Sequence, residues 1–156
     1  MKDIMTIASY IVNRYQAERG ERIDEMKLHK LLYFTQREAL IQTGEPLFGQ
    51  EFQGWRFGPV AADIRKPYKD DAFDPSVCDA DLGDAKAILD SVFENYAAKD
   101  SWSLSRLSHG EICWKKSRKG VAPGENSSNA IPLADIRLDA DRMRERRAML
   151  DRYGLL

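Results

Sequence analysis
The sequence predicts a mainly α-helical, compact single-domain fold of several helices with a small β element around residues 50–57. Three observations carry that expectation. Apolar residues recur at helical spacing through most of the chain. The segment 24–43 is apolar on most of its sides, which marks a helix at the centre of a fold. Only residues 50–57 alternate in the manner of a strand and are dense in aromatics. A chain of 156 residues suits one domain, able to bury roughly 70% of its unfolded surface.

The elements follow in order. Ile4, Ile7, Ala8, Ile11 and Tyr15 share one face of a first helix, with Asp3 as N-cap and Gly20 beyond its end. A second helix spans 24–43. Leu28, Leu31, Leu32, Thr35 and Ala39 form its main face, and Met26, Tyr33, Phe34, Leu40 and Ile41 widen it. Gly44 suits the position after its end, and Pro46 prevents continuation. The strand 50–57 gives way at Gly58-Pro59, where a turn is expected that makes no partner contact. Pro59 would then open a helix over 60–68. An acidic loop covers 69–81. Leu82, Ala85, Leu89, Val92, Phe93 and Tyr96 define a fourth, amphipathic helix. A short helix after Ser101 or Ser103 uses Trp102, Leu104 and Leu107, and further helical turns cover 111–116. Residues 119–129 are rich in Gly, Pro, Asn and Ser and read as a loop, after which Ile131, Leu133 and Ile136 return to the core. The last helix, 139–153, carries Arg142, Arg144, Arg146, Arg147 and Arg152 among acids, and is read as partly exposed and laced by intrahelical ion pairs.

Composition narrows the function. With 43% hydrophobic and 31% charged residues a globular protein is expected, and no apolar run approaches the length of a membrane span. The start lacks a signal-peptide apolar region, so a cytoplasmic location is expected. Lys and Arg number 24 against 25 Asp and Glu, so the basic excess of an obligate nucleic-acid binder is missing. Cys78 and Cys113 do not make a disulfide framework. His109 and Cys113 stand four apart, but with no second pair at metal spacing no metal or other cofactor is expected. His29, on a helix committed to packing, is read as a hydrogen-bonded structural histidine. Phosphate-binding glycine loops and a nucleophile elbow are missing, and the carboxylates lie in an acidic loop or beside arginines. Catalysis is therefore not expected, and binding to another protein is.

Two stretches are distinctive together. The first is Met26-Lys27-Leu28-His29-Lys30-Leu31-Leu32-Tyr33-Phe34-Thr35-Gln36, followed by Gly44-Glu45-Pro46-Leu47-Phe48 and Phe52-Gln53-Gly54-Trp55-Arg56-Phe57-Gly58-Pro59-Val60. The second is Leu107-Ser108-His109-Gly110-Glu111-Ile112-Cys113-Trp114-Lys115. Over roughly residues 4–138 the chain resembles the Panacea domain, also called the SocA-like antitoxin domain and often labelled phage-associated. One departure is Cys113, where the second motif commonly has Pro before the Trp. The resemblance implies a Panacea-like domain over 1–138, with a charged C-terminal helix, 139–156, packed on it. It implies an antitoxin of a type II toxin–antitoxin system, neutralising the toxin of a neighbouring gene by direct contact. The type member is an adaptor that hands its toxin to the ClpXP protease, so a ClpX-type unfoldase is an alternative partner. A DNA-binding repressor is a further alternative. Several relatives carry an added helix-turn-helix domain, and this sequence opens on the Panacea-like helix, so DNA binding by the chain alone is not expected.

Within these stretches Lys30, Tyr33, Trp55, Arg56, Tyr68, His109 and Trp114 combine apolar bodies with polar ends, the residue types that dominate protein interfaces. They are the expected toxin-binding residues, with core packing the competing role for Trp55 and Trp114. Leu31, Leu32, Phe34, Gly58, Pro59 and Val60 are expected to determine the fold.

Overall fold
A computed structural model of the chain describes residues 1–155. Helix α1 (Ile4–Arg19) opens on Asp3, whose side chain accepts from the Met5 amide, and ends at Gly20 with a left-handed φ of 73°. Helix α2 (Glu25–Thr43) has the same construction. Asp24 caps it through the Lys27 amide, and Gly44 closes it at φ 78°. All residues from Lys27 to Leu40 are buried, so α2 is the axis around which the other elements pack.

So long a buried run brings polar groups inside, and each must find a partner. Lys27 Nζ donates to the Tyr15 hydroxyl and the Ala97 carbonyl, 3.1 and 3.0 Å away. Gln36 spans the next loop, donating to the Phe48 carbonyl and accepting from the Leu47 and Phe48 amides. Arg37 pairs with Glu111, and Glu38 is gripped by both terminal nitrogens of Arg147 at 2.8 and 2.9 Å. Each of these four side chains therefore binds α2 to a different part of the fold.

The β element is a three-stranded antiparallel sheet in the order β2-β1-β3. Strand β1 (Phe52–Trp55) pairs with β2 (Gly58–Val60) through Gln53 opposite Val60, and with β3 (Ala130–Ile131) through Phe52 opposite Ile131. Gly58-Pro59 is thus strand and not turn. The turn falls at Arg56-Phe57, and helix α3 (Ala62–Lys69) starts later than Pro59 would have it.

The expected long fourth helix is broken. Single 3₁₀ turns at Asp79–Asp81 and Gly83–Ala85 lead into α4 (Lys86–Val92), which passes into a π-helical turn at Phe93–Ala97. Its apolar face is as the spacing predicts: Leu82, Ala85, Leu89, Val92 and Phe93 are buried. Helices α5 (Ser101–His109) and α6 (Ile112–Ser117) follow. In α5 Leu104 is buried, while Trp102 and Leu107 are 57% and 46% exposed. Two residues along a helix is about 200° of rotation, so Trp102 and Leu104 cannot share a face.

Helix α7 (Leu133–Arg152) begins six residues before the expected Asp139 and runs without a break past position 138. Asp139 is 1% exposed and caps α6, accepting from the Ile112 and Cys113 amides at 2.7 and 2.8 Å. Three of the six arginines of α7 reach outward to α2 and the glycine that closes it. Arg147 holds Glu38, Arg144 donates to the Leu40 carbonyl at 2.7 Å, and Arg137 donates to the Gly44 carbonyl at 2.6 Å. The last two satisfy carbonyls at the C-terminal end of α2, where cations are favoured. Intrahelical pairs remain only as Arg144–Asp141 and Arg142–Asp139 among the described residues of α7.

Candidate interaction site
The two distinctive stretches meet at the β1–β2 turn. Four successive carbonyls in and before this turn face side chains from α5, α6 and the residue after α6. Arg118 Nη1 donates to the Gly54 carbonyl at 3.0 Å, and Trp114 Nε1 to the Trp55 carbonyl at 2.8 Å. The Arg56 carbonyl lies against the His109 ring, and the Ser105 hydroxyl donates to the Phe57 carbonyl at 2.7 Å. His109 is stacked flat on Trp114, ring centroids 4.1 Å apart and 10° from parallel. On the other side Lys30 Nζ donates to the Pro59 carbonyl at 3.1 Å, and the Asn126 side chain accepts from the Arg56 amide at 2.9 Å.

Two glycines make this approach possible. A Cβ on Gly54 would lie 1.9 Å from Ser117 Oγ. Gly58 has φ 116°, a conformation L side chains rarely adopt, and a Cβ there would lie 2.3 Å from Ser108 Oγ and 2.6 Å from Lys30 Cε.

With its backbone fixed from behind, the turn presents its side chains outward. Trp55 is half-buried under the Arg65 guanidinium, 4.8 Å from the ring centroid. Arg56 is exposed and lies over Phe57 at 4.9 Å. Phe57, 38% exposed, meets exposed Trp102 edge to face at 5.4 Å. Beside this cluster is a groove of about 430 Å³. Its walls are Met26, His29 and Lys30 of α2, Trp55 to Phe57 of the turn, and Val60, with Glu25, Arg65 and Asn126 at its edge.

Of the residues singled out in the sequence, Lys30, Trp55 and Arg56 come together on this groove. His109 and Trp114 stand behind the turn and hold it. Tyr33 has no exposed surface. Its hydroxyl is 3.1 Å from Cys113 Sγ, and its ring meets Phe34 and Phe52 edge to face, so it packs the core in this structure and touches nothing outside. Tyr68 lies away from the groove, its hydroxyl donating to the Ile23 carbonyl at 2.8 Å and its ring under Arg22. Sequence reasoning missed Phe57, Trp102 and Arg65 as surface residues, and Ser105 and Arg118 as holders of the turn. For Trp102 the signal was available in its spacing from Leu104. For Ser105 and Arg118 only the folded backbone reveals the role.

Leu31, Leu32 and Phe34 are fully buried or nearly so, and Gly58, Pro59 and Val60 are buried in β2. His29 accepts from the Ala61 amide through Nδ1, which leaves the proton on Nε2 to be donated to Glu25 at 2.9 Å. Burial holds the imidazole below its ordinary pKa, and the His29 hydrogen bond draws the Glu25 carboxyl down to about 2. The Lys30 ammonium is drawn down to about 7 by burial. Among the described residues no group of three or more His, Cys, Asp or Glu side chains is placed to hold a metal ion, and no helix is long and apolar enough to cross a membrane.

A family model described as the SocA-like antitoxin, Panacea domain, matches residues 28–115, more than half of the chain. The match takes in α2, the sheet's first two strands, the turn and most of the segment that holds it. No curated protein and no solved structure matches the chain.

Proposed function
The chain belongs to the family of SocA-like antitoxins with a Panacea domain, and from that premise we propose that it neutralises a protein toxin encoded beside it by binding the toxin directly. The observation that carries this reading is the outward cluster of Trp55, Arg56, Phe57 and Trp102 on a turn whose backbone is held from behind. Aromatic and arginine side chains on a rigid support lose little freedom when they bind, which is what an interface anchor requires. Lys30, at the floor of the adjoining groove, belongs to the same proposed surface, with His109 and Trp114 supporting it. Of the arginines of α7, a competing surface by charge alone, Arg137, Arg144 and Arg147 are committed to α2 and the glycine that closes it.

The test is co-expression of the chain with the neighbouring reading frame, followed by copurification. The expected result is a frame that stops growth alone, rescue by the chain, and a complex that survives gel filtration. A frame that is harmless alone, or toxicity the chain does not relieve, would sink the reading. Repeating the rescue in cells lacking ClpX separates masking from delivery to a protease: rescue is expected to persist. At about 150 mM salt the chain alone is expected to form no sequence-specific complex with its upstream promoter, since it lacks a basic excess.

A further inference from the structure
We propose that the groove beside the β1–β2 turn is an acidic-peptide site: it takes a Glu or Asp side chain of an extended toxin segment, carboxylate toward Lys30 and Arg56, aliphatic stem against Trp55 and Val60. The proposal rests on the antitoxin reading above and names the chemistry of the partner.

Lys30 is the first reason. It is 1% exposed, yet it lines the groove, and among the described residues its ammonium has one hydrogen bond, to the Pro59 carbonyl. An ammonium offers three donors. Asp24 and Glu25 act on it only at a distance, and burial outweighs them. A buried cation without a paired anion is costly, and a carboxylate delivered by a ligand removes that cost through a charge-assisted hydrogen bond.

The balance of charge is the second. The groove holds three cations, Lys30, Arg56 and Arg65, and one carboxylate, Glu25. Glu25 is already engaged by His29 and by Arg65 Nε at 3.2 Å. His109, from α5, adds to the positive side when protonated, and it and Lys30 oppose each other's charge. The site therefore has positive charge to spare and little left with which to receive a cation.

Shape decides between a peptide and a nucleic acid. The cations do not form a track along a helix or sheet edge. They line one pocket of about 430 Å³ whose walls include Met26, Trp55, Phe57 and Val60. A single side chain with an apolar stem and an anionic end fits that lining, whereas a nucleic acid, whose bases could stack on these rings, would also need a run of cations along its backbone.

The experiment uses the full chain, ¹⁵N-labelled, titrated with acetyl-Leu-Glu-Leu-amide and with acetyl-Leu-Gln-Leu-amide. It is run at about pH 6.5 and low salt, where Lys30 is charged and screening is weak. The Glu peptide is expected to move the Trp55 indole and Arg56 amide signals saturably, with the Gln peptide at least about tenfold weaker. Lys30→Met and Arg56→Gln are each expected to weaken the Glu peptide by about tenfold. Arg56 is exposed, so its variant keeps the test decisive if Lys30→Met misfolds. Equal response to both peptides, no response to the Glu peptide, or an equal response to inorganic phosphate or a short single-stranded RNA would overturn the proposal. Toxin binding unaltered by either variant would also overturn it while leaving the antitoxin reading intact. Glu-peptide binding by a chain that binds no toxin would do the reverse, keeping the pocket's acidic selectivity and removing the toxin as its source.

Discussion
Lys30 shows how a single residue can work against the stability of the fold that carries it. Its ammonium has an ordinary pKa of 10.5 and one of about 7 in the folded chain, with burial the leading cause. The unfolded chain therefore holds more protons than the folded one between those values, and stability rises with pH across that range. The penalty is full below about pH 7 and amounts to about 5 kcal/mol, fading as the pH approaches the ordinary value. Lys30→Met, which keeps the stem and removes the charge, is expected to raise stability by several kcal/mol at about pH 6 and by much less near pH 10. Urea unfolding at the two pH values checks this, and a gain that does not shrink with pH would contradict it. Gly58 is the opposite case, a residue with nothing to spare. Its φ of 116° and the 2.3 Å and 2.6 Å approaches to Ser108 and Lys30 leave no room for a methyl group. Gly58→Ala is expected to cost about 3 kcal/mol or more, seen as a melting temperature lower by roughly 6–12 °C.

At the scale of elements, the β1–β2 turn depends on donors supplied by α5, α6 and Arg118. Ser105→Ala and Trp114→Phe each leave a carbonyl without its side-chain donor and are each expected to cost about 1–3 kcal/mol. Because both act on one turn, the double variant is expected to cost less than the sum of the two. A double-mutant cycle measured by urea unfolding reads that coupling, and strict additivity would show that the turn is not held as a unit. This is also where the sequence was least legible. The ends of helices α1 and α2 announced themselves through Asp3, Gly20 and Gly44, because caps are local chemistry. The core faces of α2 and α4 followed from periodicity. By contrast, nothing local separates Gly58-Pro59 as a turn from Gly58-Pro59 as a strand. The pairing of Phe52 with Ile131, which makes β1 the central strand, is set across the chain. In the same way residue type singled out Trp55, Arg56 and Tyr33 alike, and the fold brings the first two to the groove while Tyr33, one helical turn beyond Lys30, is sealed in the core. Residue type reports what a side chain could do, and whether it borders the groove decides whether a partner can reach it.

For the whole molecule the decisive contact is between α2 and α7. Glu38 is 2% exposed and owes its charge to Arg147, with the Gln42 amide as a second donor. Removing one partner of a buried pair strands the other, so Arg147→Ala is expected to cost about 3–5 kcal/mol. The Glu38→Gln, Arg147→Gln pair is expected to cost less than Arg147→Ala alone, because no charge is left behind. Thermal melting of the two variants checks the order. A chain ending at residue 138 loses this pair, the Arg144 contacts and the Asp139 cap of α6 together, and is expected not to fold cooperatively, read as loss of a sharp melting transition. Loss of toxin binding on changing Arg144 or Arg147 would then report an unfolded chain and not a second interface, unless melting is unchanged.

The turn is gripped by its carbonyls, which every amino acid carries alike. Gly54 aside, the grip makes no demand on which side chains stand at Trp55, Arg56 and Phe57. Those three positions form a socket into which other residues can be exchanged while the scaffold keeps its shape. On the function proposed above, replacing that tripeptide would alter which toxin is bound while the fold stays as it is.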